Sequence, residues 1–197
     1  METVKRQGID IVFAVDISKS MLAEDIKPNR LEKTKQLVSQ IINQLGNDRV
    51  GIVGYAGSAY PILPMTTDYS IAKMYLQSMN TNMVSSQGTA FNDAIKLAVD
   101  YFDVKDTSKL IILVSDGEDH GEGAAEAVEL AKEKGVRILT VGVGTENGAL
   151  IPLKDTKGSI SSYKKDQNGE NVITKLYPDV LKNIATKTKS KYIYKNI

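Results

Sequence analysis

Ile9-Asp10-Ile11-Val12-Phe13-Ala14-Val15-Asp16-Ile17-Ser18-Lys19-Ser20 decides the fold. Its first seven residues form a mostly apolar run with the length and β-branched content of a strand. A strand buried on both faces belongs in a parallel sheet covered by helices. Where the run ends, Asp16, Ser18 and Ser20 arrive at alternate positions. Open α/β sheets bind their ligands outside the carboxyl ends of the strands. One carboxylate and two hydroxyls in a tight loop make part of a shell for a hard cation such as Mg²⁺. Asp and Ser are also common turn and cap residues, so D-x-S-x-S taken alone is a weak pattern.

Two further stretches strengthen it. Gln87-Gly88-Thr89-Ala90 precedes a helix-like segment, and Leu110-Ile111-Ile112-Leu113-Val114-Ser115-Asp116-Gly117 is a second buried strand that ends in an acid. Loops at one end of a parallel sheet can converge on one ion. Asp16, Ser18, Ser20, Thr89 and Asp116 resemble, in order, the metal-ion-dependent adhesion site of the von Willebrand factor A domain family. The runs Ser20-Met21-Leu22-Ala23-Glu24-Asp25, Pro28-Asn29-Arg30-Leu31-Glu32, Asn47-Asp48-Arg49-Val50-Gly51 and Ser115-Asp116-Gly117-Glu118 resemble the Bat (Bacteroides aerotolerance) group of that family.

The resemblance implies a site and a use for it. Ser18, Ser20 and Thr89 would ligate the ion through their hydroxyls, and Asp16 and Asp116 directly or through water. Two carboxylates and three hydroxyls favour Mg²⁺, Mn²⁺ or Ca²⁺ over zinc or copper. In the family, an Asp or Glu of a partner protein fills the open coordination position. The expected rim around it is Met21, Ser86, His120, Lys164 and Lys165. The Bat resemblance also suggests other Bat proteins or a MoxR-type AAA+ ATPase as partners. It implies membrane helices on both sides of this domain, hence a soluble domain of a bacterial inner-membrane-anchored protein. The periplasmic side is the expectation, although no residue in this stretch fixes it.

Composition narrows the alternatives. Lys+Arg 25 against Asp+Glu 24 gives a net charge of +1, which offers no field for nucleic acid and no polybasic membrane patch. Cysteine is absent, which excludes disulfides, thiol catalysis and zinc–thiolate sites. No stretch approaches the ~20 apolar residues of a membrane span. Residues 1–197 read as a single α/β domain.

Strands are expected at residues 9–15, 50–56, 59–63, 110–115, 136–143 and 191–194, with helices at 30–45, 68–79, 90–102, 122–135 and 178–187. The alternation predicts a doubly wound, mostly parallel six-stranded sheet with helices on both faces, a Rossmann-like arrangement. Residues 59–63, with Pro61, fit an edge strand, and the family fold implies that this edge strand is antiparallel. Ile71, Tyr75, Leu76 and Met79 are the expected apolar side of the second helix. Residues 145–175 interrupt the rhythm and are too long for a plain connection. Asn168-Gly169 predicts a type I′ hairpin there, between Ser161-Ser162-Tyr163 and Val172-Ile173.

An enzyme is the competing class. A strand ending in Asp with a second strand ending in Asp also describes metal-dependent phosphohydrolases with an aspartate nucleophile, here Asp16. Those resembling the haloacid dehalogenase class carry a second Asp two positions on, where this chain has Ser18. Glu24 and Asp25 are expected to face solvent, and Glu118 and Asp119 to be solvated or to cap the following helix. Gly142 and Gly144 lack the G-x-G-x-x-G spacing of a dinucleotide loop.

Overall fold

The computed structural model describes residues 8–119 and 123–194. β1 (Ile9–Asp16) buries every residue after the first, because its two faces meet two separate cores. Ile11, Phe13 and Val15 point into one core, and Val12 and Ala14 into the other. This is why the stretch reads as a continuous apolar run instead of an alternating one. β2 (Arg49–Tyr55) and β4 (Ser108–Ser115) flank β1 in parallel. Beyond β4 come β5 (Val136–Gly142) and the edge strand β10 (Tyr192–Tyr194), both parallel. β3 (Ala59–Thr66) closes the other edge and is antiparallel. The six-stranded order is β10-β5-β4-β1-β2-β3.

Two helices, α1 (Arg30–Asn43) and α2 (Tyr69–Ser78), cover one face. Three cover the other: α3 (Phe91–Asp100), α4 (Ala125–Glu133) and α5 (Pro178–Lys187). The starts of α1 and α2 are written locally. Asn29 accepts the Glu32 N–H at 2.8 Å, the cap of an N-x-x-E pattern. Asp68 accepts the N–H groups of Ser70 and Ile71, each at 3.0 Å.

α2 departs from expectation. Its buried row is Ala72, Leu76 and Met79, while Ile71 and Tyr75 are 40% and 39% exposed. The helix lies at the sheet margin, over β2 and β3 and beside α1, where one narrow stripe meets the core. The adjacent row faces water.

The interrupting segment, residues 145–175 and hereafter the insertion, holds two ladders instead of the one inserted hairpin expected. β6 (Ala149–Leu150) pairs with β9 (Ile173–Thr174), and β7 (Pro152–Lys154) with β8 (Ile160–Tyr163), all antiparallel. The chain does reverse at Asn168-Gly169, where Lys165 bridges Asn171. The turn is not type I′, because Gly169 has φ 80 while Asn168 stays out of the left-handed region. The Gly169 N–H donates to the Asp166 carbonyl at 3.1 Å, and Asp166 Oδ1 accepts from Asn168 and Glu170. Asp155-Thr156-Lys157-Gly158-Ser159 repeats this geometry, with Asp155 Oδ1 accepting from Lys157 and Ser159. Both are loops that end in a left-handed glycine.

No helix among the described residues is long and apolar enough to cross a membrane.

Candidate metal centre

The parallel register puts the ends of β1 and β4 side by side, Val15 opposite Val114. Asp16 and Asp116 therefore leave neighbouring strands at the same edge, and both are fully buried. Asp16 Oδ1 accepts the Ser18 N–H at 2.9 Å, which folds the loop back over the strand end. Ser115 Oγ donates to Asp16 Oδ2 at 2.7 Å. Ser18 Oγ and Ser20 Oγ are 2.9 Å apart. Thr89 enters on the loop ahead of α3, which is seated by the Ala90 N–H on the Ala56 carbonyl at 2.7 Å. Ser18, Ser20 and Thr89 share one cavity of about 350 Å³ with Glu118. Ile151, Lys164 and Val172 of the insertion also line this cavity.

The electrostatics of the pair are unfavourable on their own. Burial first, and then the Asp116 charge, push the Asp16 carboxyl up to about 7; the Ser18 and Ser115 bonds pull it back only in part. Two carboxylates that repel across a buried site, beside three hydroxyls, are a donor set that a hard divalent cation fits. Among the described residues no three His, Asp or Glu side chains gather in a metal-holding group. Three of the five candidate ligands are neutral hydroxyls, so this centre has only two acids.

Arg30, the largest fully buried side chain, organises the back of the site. Nε and one terminal nitrogen hold Asp25 at 2.8 and 2.7 Å. The other terminal nitrogen donates to Asp116 Oδ2 at 3.0 Å and to Thr174 Oγ1 at 3.1 Å. The Thr174 carbonyl takes the remaining N–H at 3.1 Å, so all five guanidinium protons are used. Asp116 Oδ1 accepts the Glu118 N–H at 3.1 Å. Arg30 thus ties Asp116 to Thr174 of the insertion. Gly144 lies against the guanidinium at φ 129, and a Cβ there would stand 2.9 Å from Nε.

Arg30, Ser115, Thr145 and Thr174 were not expected at the site. Arg30 did leave a trace in the sequence: it falls in register with Thr34, Val38 and Ile42, the core row of α1. Asp25 does not face solvent as expected. Its side chain is 5% exposed, and it also accepts the Thr145 N–H and hydroxyl at 2.9 and 3.0 Å. Burial pushes the Asp25 carboxyl up, and Arg30 and Thr145 more than offset this, holding it below its ordinary value. Glu24 also points inward to the insertion, meeting Lys154 at 2.8 Å.

The expected rim is divided. Met21 is fully buried in the α1 core, because the 3-10 turn Lys19–Leu22 turns it inward, so it offers no surface. Ser86 is half-buried, with its hydroxyl 3.1 Å from Ser58 Oγ. Lys164 lines the cavity, while Lys165 is exposed outside its lining. His120 lies outside the described residues, as does Glu122, the expected start of the fourth helix.

Known proteins share this fold. The family model of the von Willebrand factor type A domain matches residues 10–195. The crystal structure of the BatB protein from Bacteroides thetaiotaomicron superposes with a TM-score of 0.91 at 40% identity, covering 96% of this chain and 91% of that one. An aerotolerance-related membrane protein from Bacteroides fragilis gives a TM-score of 0.90 at 36% identity, over 96% and 92% of the two chains. A UPF0353 protein from Mycolicibacterium paratuberculosis is 30% identical over 159 residues, 75% of this chain and 48% of that protein. The chain spans about half the length of the curated relatives it matches. The chain therefore belongs to the von Willebrand factor type A domain family, on the branch that includes these Bacteroides BatB and aerotolerance-related proteins.

Proposed function

We propose that this domain is a divalent-cation-dependent protein-binding module of a membrane-anchored, aerotolerance-related Bat protein. Asp16, Ser18, Ser20, Thr89 and Asp116 would hold the ion, Mg²⁺ first and Mn²⁺ or Ca²⁺ by the same donor chemistry. The observation that carries the reading is the pair of buried, mutually repelling carboxylates behind three hydroxyls that open on one cavity. A bound ion supplies positive charge between the acids and a position for one further oxygen, contributed by an Asp or Glu of the partner. The chain's own residues do the orienting. Ser115 and the Ser18 N–H fix the two oxygens of Asp16, and Arg30 and the Glu118 N–H fix those of Asp116.

The same bonds count against an aspartate nucleophile. Asp16 has both oxygens engaged and no exposed surface from which to attack a phosphoester. The aerotolerance-related relative from Bacteroides fragilis is a membrane protein, which supports a place for this domain beside a membrane. We further propose that this is the bacterial inner membrane and that the domain faces the periplasm. Other Bat proteins or a MoxR-type ATPase are the partner candidates.

Crosslinking and pull-down from intact cells tests the reading. The expected result is partner capture that is lost on adding a chelator and in Asp16→Ala. Capture unchanged by both would overturn it. So would metal-dependent cleavage of a generic phosphoester that vanishes in Asp16→Asn.

A further inference from the structure

The cavity in front of Ser18, Ser20 and Thr89 is lined by several distant parts of the chain, among them the β1 loop with Lys19, the loop 87–90 and the Glu118 carboxylate. The insertion contributes Lys164, with Ile151 and Val172. Neither lysine forms an ion pair among the described residues. Lys154, earlier on the same insertion, does pair, with Glu24. The Lys164 backbone is fixed in place: its N–H donates to the Ile151 carbonyl and its carbonyl accepts from the Val172 N–H, both at 2.9 Å. The residue is half-buried, so part of its stem is already out of water. Ile173 and Tyr163, the chain neighbours of Val172 and Lys164, are 57% and 37% exposed.

This is a surface with two separate attractions for acids. One is the proposed ion position, and the other is the lysine that the insertion contributes to the lining. The 350 Å³ cavity is at the low end of the roughly 300–1,000 Å³ typical of ligand pockets, room for side chains rather than a large cofactor. Charges across an interface set specificity and register more than raw affinity.

We propose that Lys164 is the specificity-determining residue of this surface, and that the partner is a protein segment carrying two acidic side chains. The first acid goes to the ion position and the second to Lys164. This inference rests on the metal-centre reading above. It adds that a single-acid segment is the wrong partner, and that the insertion does the selecting. Lys19, within the ion loop, strengthens the field for either acid but does not separate the two classes.

The test is selection from a displayed library of random short peptides, bound to the full chain in Mg²⁺ and eluted with a chelator. Wild type should yield peptides with two acids at a fixed spacing. Lys164→Met should yield peptides that keep only one of them, and Lys164→Glu peptides with a base in place of the second. The best wild-type peptide should bind Lys164→Met about tenfold more weakly, while Mg²⁺ affinity, measured separately without peptide, is unchanged. Identical two-acid peptides from wild type and Lys164→Met, or single-acid peptides from both, would overturn the proposal and leave the metal centre standing. A library with no chelator-sensitive binder overturns it as well. Absence of Mg²⁺ binding to wild type would sink the metal reading itself.

Discussion

At the residue scale the decisive group is Arg30. A buried guanidinium with five acceptors is stable only while all of them are present. Removing it leaves Asp25 and Asp116 as buried charges without their cation. Arg30→Met should therefore lower the unfolding free energy by about 3–5 kcal/mol in denaturant titration. Arg30→Lys should recover only part of this, because an ammonium has three donors for five acceptors. A loss under ~1 kcal/mol for Arg30→Met would mean the network is incidental. Gly144 answers to the same group. Its φ of 129 disfavours a side chain, and the Cβ would press on a guanidinium that cannot swing away. Gly144→Ala should cost about 2 kcal/mol or more, and a neutral result would show that Arg30 has freedom its bonds deny.

At the element scale, β1 is fixed at its far end by Asp10, which sits beside Arg49 of β2. Arg49 donates to both Asp10 oxygens at 2.9 and 2.7 Å, and Thr107, just before β4, donates at 2.9 Å. Burial raises the Asp10 carboxyl, but Arg49 and Thr107 more than offset that and hold it below its ordinary 3.8. The folded state thus binds this proton less readily than the unfolded chain. The stabilisation is complete above 3.8 and disappears as pH falls through the lowered value. Asp10→Ala should cost about 3 kcal/mol at neutral pH. The gap to wild type should close in acid; a gap that stays constant down to pH 2 would contradict the assignment. The elements themselves were largely legible. Apolar runs marked β1, β4 and β5 because those strands are buried on both faces, and Asp68 and Pro178 marked helix starts by local chemistry. The pairing inside the insertion was not legible. Tyr163 chose Pro152 and Ile173 chose Leu150, a choice made by tertiary position and not by the nearest turn. Asp16, Ser18, Ser20, Thr89 and Asp116 could be read as spaced oxygen donors. The buried row of α1 hinted at Arg30, but its bond to Thr174 could not be read, since it joins residues 144 positions apart.

At the scale of the whole molecule, the sheet delivers three loops and the insertion to one edge. Arg30 then ties the insertion to Asp116, so the rim and the centre share a support. A ligand that binds only the folded state stabilises it by mass action, so Mg²⁺ at a hundred times its Kd should add about 2.7 kcal/mol. The central claim is that Asp16, Ser18, Ser20, Thr89 and Asp116 form one cation site. Its most direct test is calorimetric titration of Mg²⁺ into wild type, Asp16→Ala and Thr89→Ala. Asp16→Ala should stay folded without metal, because it removes one of two repelling buried carboxylates. The account predicts one ion per wild-type chain, no measurable binding in Asp16→Ala and binding weakened at least tenfold in Thr89→Ala. Undiminished affinity in both variants would contradict it.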